Sequence, residues 1–263
     1  PTRPERCTRG KSTVDMPAPP GSSATALPTL DGPTVLDTAD GLRGAVHALA
    51  CDRLLTTDGP VWWVDAAGHA DAARLAALAP SRRSLDRIQV ARGFTPYQHH
   101  TLCRRLAEAI RTSCRNGENT PALVVCPAVD ALYRTGDLPR GAARRLLVSA
   151  VAAVTTVADR YDCPVLLTRT DTDAFTAPVD DACTHRLGCR RTRFGPRFAA
   201  VDRHGRPVDD GFETLTYDLG DGWVQTTFAY WRTVLERRHG AYDASDASDV
   251  TTAAREVLAS GAY

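Results

Sequence analysis

One short segment of the chain has the residues of a phosphate-binding loop. Gly10-Lys11-Ser12 matches the end of the pattern GxxxxGK[ST], in which backbone amides and a lysine hold phosphate oxygens. The first glycine of that pattern would stand at position 5, where the chain has Glu5, and prolines from Pro17 onward follow where a helix must begin. We therefore interpret the match as chance. Lys11 is also the only lysine among 32 basic residues, so no other segment can supply a phosphate-binding lysine.

Cysteine and histidine occur close together in two places. Neither group has the paired spacing of a zinc finger, so we predict no metal. The eight cysteines include no CxxC pair, which favours reduced thiols packed in a core over a disulfide framework. The two groups are His99, His100 and Cys103 on one predicted helix, and Cys183, His185 and Cys189 further along.

Composition limits the class of protein. The 263 residues are 43% hydrophobic and 24% charged, which is enough for one large or two small globular domains with a buried core. The net charge of +1 excludes a strongly acidic or basic disordered tail protein and gives no bulk attraction to nucleic acid. There is no apolar run of about 18 residues and no apolar signal segment, so we predict a cytoplasmic protein with no membrane partner.

The two ends differ in composition from the middle. Residues 1–33 contain 7 of the 17 prolines and no periodic apolar pattern, so they are predicted to form a flexible leader. Met16 is the only methionine, and we expect it to be the natural start, with residues 1–15 non-native. Residues 225–263 are predicted to form a C-terminal helical extension, with helices over 230–239 and 250–259.

The middle, residues 34–224, alternates between predicted strands and helices. Apolar periodicity predicts helices over 45–55, 69–78, 96–115 and 142–161. Apolar runs bounded by turn residues predict strands over 61–64, 87–92, 122–125 and 165–168, followed by short strands over 186–191, 197–201 and 214–217. Strands separated by long helices indicate an α/β domain with a mostly parallel sheet, to which the short strands add an antiparallel edge.

Several of these segments resemble the ATPase core of the RecA/RadA family of recombinases, in the archaeal and eukaryotic branch. The resemblance covers roughly 190 residues, and it depends on the order of the motifs more than on any one of them. It implies a RecA-like, P-loop-type core. The matching segments are Val61-Trp62-Trp63-Val64-Asp65, then 88–94 followed by Gln98-His99, 122–125 in place of the Walker B strand, Tyr133-Arg134-Thr135 with Arg140-Gly141 as the first DNA-binding loop, and 165–168 as the sensor strand.

The residues that such an ATPase needs are missing at the matching positions. ATP hydrolysis in this family requires a lysine and backbone amides around the phosphates, a hydroxyl and an aspartate on Mg²⁺, and a carboxylate that positions water. In the loop 37–44, Asp37 and Asp40 would repel a polyphosphate. Each required residue is replaced by another: Arg43 stands in place of the lysine, Gly44 in place of the magnesium-binding hydroxyl, Cys126 in place of the Walker B aspartate, Ala67 in place of the water-positioning glutamate, and Arg169-Thr170 in place of an Asn-Gln pair. Gly41 also lies in the loop 37–44.

Two aspartates near this degenerate site could be considered as replacements. Asp65 is also acidic in active family members, so the resemblance implies a structural role. Asp130 lies about a helical turn beyond Cys126. We therefore predict no catalytic residue and neither ATP nor Mg²⁺ as a cofactor.

Arginines are retained where the family contacts DNA. Arg134, Arg140, Arg144 and Arg145 fall at the first DNA-binding loop, with a solvated helix N-terminus as the alternative. The second loop, 171–181, is short and carries four aspartates that should repel phosphates. A later cluster is interpreted either as a nucleic-acid patch or, slightly favoured, as a charged strand edge; it contains Arg186, Arg190, Arg191, Arg193 and Arg197.

These observations predict a catalytically degenerate recombinase paralogue, a pseudo-ATPase that acts in DNA recombination or repair by binding single-stranded DNA or a RecA/RadA-type recombinase. The second prediction is a protein-interaction module without DNA binding. Family members dock a short apolar segment onto the sheet edge of the next subunit, and Ala24-Thr25-Ala26-Leu27 is a candidate remnant of that segment. The third is a DNA-dependent ATPase with an atypical nucleotide site.

Overall fold

The computed structural model describes residues 27–38, 43–66, 68–79, 82–192 and 195–208. The strands are β1 Pro33–Thr38, β2 Val61–Ala66, β3 Ile88–Gly93, β4 Leu123–Cys126, β5 Val165–Leu167, β6 His185–Thr192 and β7 Gly195–Ala200. The helices are α1 Arg43–Thr56, α2 Ala72–Leu78, α3 Arg82–Asp86, α4 Pro96–Arg115, α5 Arg140–Tyr161 and α6 Ala177–Ala182, with a 3₁₀ helix over Ala131–Arg134.

The strands form one seven-stranded sheet in the order β3-β2-β4-β5-β1-β6-β7. All neighbours are parallel except β6 and β7, which pair antiparallel. The predicted α/β class, with a mostly parallel sheet, flanking helices and an antiparallel edge, is therefore confirmed. The pattern did not predict β1, α3 or α6, which are short or interrupted by polar residues. The predicted strand 214–217 and the predicted extension 225–263 lie outside the described residues.

The folded domain begins before residue 34. Leu27 and Leu30 lie within the range predicted as a leader, yet they are 4% and 3% exposed and pack in the same core as Leu36. Leu27 is thus buried within its own chain, which differs from its expected place in a segment that docks on another subunit. Residues 24–26 lie outside the described residues.

Each face of the sheet covers its own hydrophobic core. Alternate residues along a strand point to opposite faces, so Trp63 and Leu123 pack with α1 and α2, whereas Val64 and Val124 pack with α4 and α5. Burial of one such aliphatic side chain stabilises the folded state by about 1.5–3 kcal/mol relative to leaving it exposed to water. Both faces are covered, which explains why β4 and β5 are apolar throughout.

Helix α5 is long and apolar enough, by length and composition, to cross a membrane. Its apolar side has an ordinary place in the fold, because Leu147, Val151 and Val154 are buried in the core shared with α4. A core helix of this kind satisfies the same criteria of length and hydropathy as a membrane span.

The chain leaves neighbouring strands β1 and β5 toward opposite faces. Helix α1, which follows β1, packs in one core, and α6, which follows β5, places Val179 in the other. Such a reversal opens a crevice at the carboxyl ends of the strands, where α/β proteins bind their ligands. Residues that follow β1, β4 and β5 are therefore the candidates for a ligand site.

The start of α4 is held by a close approach to β3. Thr95 caps the helix by accepting a hydrogen bond from the Gln98 backbone N–H, 3.2 Å from the Thr95 Oγ1. A Cβ on Gly93 would lie 2.9 Å from the Cα of His99, so only glycine fits there. His99 is fully buried, and its Nδ1 is 2.9 Å from the Tyr133 hydroxyl.

Burial of His99 predicts a loss of stability in mild acid. Desolvation lowers the pKa of this imidazole from 6.5 to about 4. Above about pH 6.5, His99 is neutral in both states and does not reduce the free energy of unfolding. At lower pH the unfolded state binds a proton more readily than the folded state, so the free energy of unfolding falls as pH decreases toward the folded-state pKa. Between about pH 7 and about pH 5 this one group should cost about 2 kcal/mol of unfolding free energy. Urea unfolding at a series of pH values measures the loss.

The matched variants are His99→Gln, which cannot titrate, and His204→Gln in the exposed turn after β7. The acid-dependent loss should shrink in the first variant and persist in the second. An identical pH dependence in all three proteins would contradict the assignment to His99.

Candidate functional site

A cavity of about 300 Å³ opens at the carboxyl ends of the central strands. Its walls come from the end of β1, from α1 and β2, and from the segments that follow β2, β4 and β5. It includes Thr38, His47, Trp63, His69, Ala128 and Arg169. This is the position at which the reversal of chain direction predicts a ligand crevice.

Four charged side chains form a cluster beside this crevice, and one of them, Arg169, lines it. Arg169, which follows β5, lies 2.9 Å from Asp37 and 2.9 Å from Asp180. Arg186, on β6, lies 3.1 Å from Asp37 and 2.6 Å from Asp180. Each arginine therefore bridges both aspartates, and we call Asp37, Arg169, Asp180 and Arg186 the ion-pair ring.

The ion-pair ring is largely shielded from water. The side chains of Arg169 and Arg186 are 2% and 10% exposed, and those of Asp37 and Asp180 are 28% and 18% exposed. A buried guanidinium needs a carboxylate partner, because an unpaired charge in such a place costs several kcal/mol. The ring thus fixes the end of β1, the segment after β5, helix α6 and strand β6 against one another.

These contacts differ from three of the sequence interpretations. Asp37 does not present an isolated negative charge to the crevice, since two guanidinium groups neutralise it. Asp180 lies on α6 and pairs with arginines, although its segment was interpreted as an acidic loop that repels DNA. Arg186 is nearly buried and does not belong to a solvent-facing basic cluster.

A second polar network lies beside the ring and is centred on Asp130. This fully buried carboxylate accepts hydrogen bonds from the Thr170 backbone N–H at 2.7 Å, the Thr170 hydroxyl at 2.6 Å and the Arg134 Nε. Asp130 therefore serves as a structural acceptor in the crevice wall. Thr170, predicted at the degenerate nucleotide site, is turned toward it.

Arg134 is occupied by internal partners. Its Nη1 and Nη2 lie 3.1 and 2.8 Å from the carboxylate of Asp173, and its guanidinium carbon is 4.9 Å from the centre of the Phe175 ring. Hydrogen bonding to Asp173 raises the pKa of Arg134, and the same bond lowers the pKa of Asp173. With most of its donors used, Arg134 is less able to contact a phosphate than the predicted DNA-binding arginines whose side chains are exposed, Arg140, Arg144, Arg145 and Arg190.

The predicted positions of the degenerate nucleotide site are only partly described. Asp40, Gly41 and Ala67 lie outside the described residues, as does the side chain of Arg43. Gly44 is buried in the first turn of α1. Cys126 ends β4 fully buried, and desolvation raises the pKa of its thiol well above the ordinary value. A neutral buried thiol is a poor ligand for a hard cation such as Mg²⁺.

Asp65 has two structural partners at the end of β2. It is fully buried, and its carboxylate accepts hydrogen bonds from the His69 backbone N–H and the Arg92 Nε, both at 2.7 Å. These contacts hold the segment after β2 against β3. They agree with the structural role that the resemblance implies.

The sequence patterns did not reveal the histidines of the cavity. His47 is 1% exposed on α1, its ring centre lies 5.1 Å from that of Trp63, and its Nε2 accepts the Asp71 backbone N–H at 3.3 Å. Ala128 has a φ of 46°, an unusual value for a residue with a Cβ, and its N–H donates to the Thr168 hydroxyl. His69 and Ala128 lie just after β2 and β4, so their positions become informative once the strand order is known, whereas His47 lies within α1.

The remaining predicted DNA-binding arginines are more open to solvent. Arg140, Arg144 and Arg145 are exposed in the first turns of α5. Arg190 is exposed on β6 opposite Arg197, and Arg191 pairs with Pro196; the side chains of Arg191 and Arg197 and the whole of Arg193 lie outside the described part. Arg190 and Arg197 are thus register partners in the antiparallel pair β6–β7, in which β7 is the outer strand of the sheet.

Neither cysteine–histidine group forms a cluster of metal ligands. His99 contacts Tyr133, whereas the Nε2 of His100 lies 3.0 Å from the Ser149 hydroxyl on α5. Cys189 is buried in β6, and His185, four residues earlier on that strand, is exposed. Within the described ranges, no group of three His, Cys, Asp or Glu side chains is arranged to hold a metal ion.

Comparison with protein-family models found no match to the chain, and comparison with curated proteins found none either.

The ion-pair ring predicts a large effect for removal of one arginine. Arg169→Met keeps the length and apolar stem of the side chain but leaves Asp37 and Asp180 to share Arg186. Because two carboxylates then face each other in a nearly dry site, unfolding free energy should fall by about 3–5 kcal/mol. Urea denaturation measures this change.

Arg190→Met supplies the matched control, since Arg190 is an exposed arginine on β6, the strand that also carries Arg186. Its effect should stay within about 0.5 kcal/mol. If Arg169→Met also stays within that range, the ring is solvated and does not carry the crevice wall.

Proposed function

We propose that the chain is a catalytically degenerate recombinase paralogue of the RecA/RadA type, which acts in DNA recombination or repair by binding rather than by turning over ATP. Its partner is single-stranded DNA or a recombinase of that family. The resemblance in motif order supports this proposal, and so does a mostly parallel sheet whose β1, β4 and β5 end at one crevice. The RecA-like identity of the core is part of the proposal.

The observation that carries the non-catalytic part is the way in which the crevice residues are used. Asp37, Arg169, Asp130 and Thr170 bond to one another or to nearby side chains. Cys126, which the resemblance matches to the Walker B aspartate, is fully buried. Phosphoryl transfer depends on groups arranged around the phosphates and the metal ion, and these residues have no such arrangement.

A nucleotide titration tests the proposal directly. Calorimetry of the full chain with ATP and Mg²⁺ should show no saturable binding, and phosphate release with single-stranded DNA present should equal that of a parallel preparation. The parallel protein is Cys126→Ser, which cannot affect a site that does not use the thiol. Magnesium-dependent hydrolysis at the rate of an ordinary recombinase would overturn the non-catalytic assignment.

A second candidate function is a protein-interaction module without DNA binding, and the edge of the sheet favours it. Within the described part of the chain, β3 pairs only with β2, so its outer hydrogen-bonding groups face away from the sheet. Val90, Phe94 and Tyr97 on or beside this edge are 48%, 73% and 60% exposed. An open strand with apolar side chains is a template for a strand from another protein.

An edge variant tests this candidate. Val90→Asp places a charge on the open strand, so the affinity for a purified RadA-type recombinase should fall about tenfold or more if that recombinase adds a strand there. Val148→Asp is the matched control, because Val148 is a 41% exposed valine on α5. Surface-immobilised recombinase and injected full-length chain give both affinities; equal values for both variants would exclude docking at β3.

A further inference from the structure

The two longest helices carry an excess of positive charge. Helices α4 and α5 contain eight arginines and two carboxylates, Glu108 and Asp159, in a chain whose net charge is only +1. Both helices cover the same face of the sheet and share one core. Their arginines therefore lie on the solvent side of one layer.

Four exposed residues of α4 lie along one side of the helix, the side that also carries Glu108. Tyr97, Arg104, Arg111 and Arg115 recur at seven- or four-residue spacing, which places them on one side of the helix, and all four are exposed. We call these four residues the α4 row. From Tyr97 to Arg115 it spans about 27 Å.

One carboxylate is shared among three arginines near the end of the row. Glu108 is bonded by Arg111, and its pKa is lowered first by that bond and further by the positive charges of Arg111, Arg115 and of Arg160 from α5. A single negative charge cannot neutralise three guanidinium groups. Among the described residues, neither Arg104 nor Arg115 has a carboxylate within salt-bridge distance.

The row also meets α5 at its other end. His100 is bonded to Ser149 on α5, and its pKa is lowered by burial and by the nearby charge of Arg104. Arg104 therefore stands beside the groove between the two helices. Ser149 lies one helical turn after Arg145, an exposed arginine of α5.

An aromatic side chain begins the row. Tyr97 is 60% exposed in the first turn of α4, and Phe94 just before it is 73% exposed. An exposed ring next to a line of arginines is the combination that binds single-stranded nucleic acid, because the bases stack on the ring while guanidinium groups contact the phosphates. An acidic peptide would use the arginines but has no base to stack on Tyr97.

We infer that the α4 row is a binding surface for single-stranded nucleic acid, in which Arg104, Arg111 and Arg115 contact phosphates and Tyr97 stacks on a base. This inference rests on the proposed binding function and assigns it to a surface outside the predicted first-loop cluster at residues 134–145. Arginine suits the contact, since its planar group donates two hydrogen bonds to one phosphate.

Fluorescence anisotropy with labelled oligothymidylate and the full-length chain tests the inference. In Arg104→Gln/Arg115→Gln, affinity at about 50 mM salt should fall about tenfold, and the slope of log affinity against log salt should fall by about 1.4, as expected for two lost phosphate contacts. Arg83→Gln/Arg203→Gln removes the same charge from exposed positions on α3 and after β7, and it should change affinity by less than about twofold.

Tyr97→Ala separates stacking from charge. It should weaken binding of oligothymidylate about fivefold or more and leave binding of a duplex unchanged, because duplex bases are already stacked. Val90→Gln, on the neighbouring edge strand, serves as its control. Circular dichroism verifies that each variant is folded.

The opposing results are distinguishable from one another. Binding that survives in the α4 variant and is lost in Arg140→Gln/Arg144→Gln would overturn the inference and leave the proposed function standing. No binding of oligothymidylate by the unaltered chain at low salt would overturn both the inference and the DNA-binding form of the proposed function. Equal affinity for polyglutamate, insensitive to Tyr97→Ala, would identify the row as a surface for acidic protein and overturn the inference.

Discussion

The ion pairs among Asp37, Arg169, Asp180 and Arg186 are the constraint on which the crevice depends. Arg169 is almost completely buried, so its charge is tolerable only while both aspartates stay beside it. Those aspartates come from β1 and α6, and the second arginine comes from β6. One desolvated guanidinium therefore specifies how four separate segments meet, in a place where apolar packing alone leaves their relative position less well determined.

The same ion pairs limit the ability of the crevice to bind a polyphosphate. Asp37 stands at the end of β1, where a nucleotide-binding protein presents backbone amides and a cation to phosphate. Here the cations are present but are paired with carboxylates of the same chain. In the neighbouring network, the carboxylate of Asp130 accepts hydrogen bonds from Thr170 and Arg134. A polyphosphate could bind these arginines only by displacing Asp37 and Asp180, which are partly shielded from water and would then carry unpaired charge.

Sequence reasoning predicted the elements with strong local signals and missed the contacts that join distant segments. Strands β2, β4 and β5 are apolar runs between turn residues, and α4 has a regular apolar face, so their positions followed from the pattern. Strand β1 was missed because Thr34 and Asp37 interrupt its apolar residues. Asp37 and Arg186 are 149 residues apart, and their pairing follows only from the order β5-β1-β6. Charge counts alone could not show which arginines were neutralised.

That distinction explains how a chain of nearly zero net charge can have a strongly basic surface. In the interior and in the crevice, arginines and aspartates are matched: Arg92 with Asp65, Arg134 with Asp130, and the two pairs of the ring. Each match removes one arginine and one aspartate together, so the excess on one surface depends on where the unmatched charges lie. Helices α4 and α5 are left with two carboxylates for eight arginines. A small net charge is therefore compatible with local attraction to a polyanion, because the charges that cancel in the sum are separated in space.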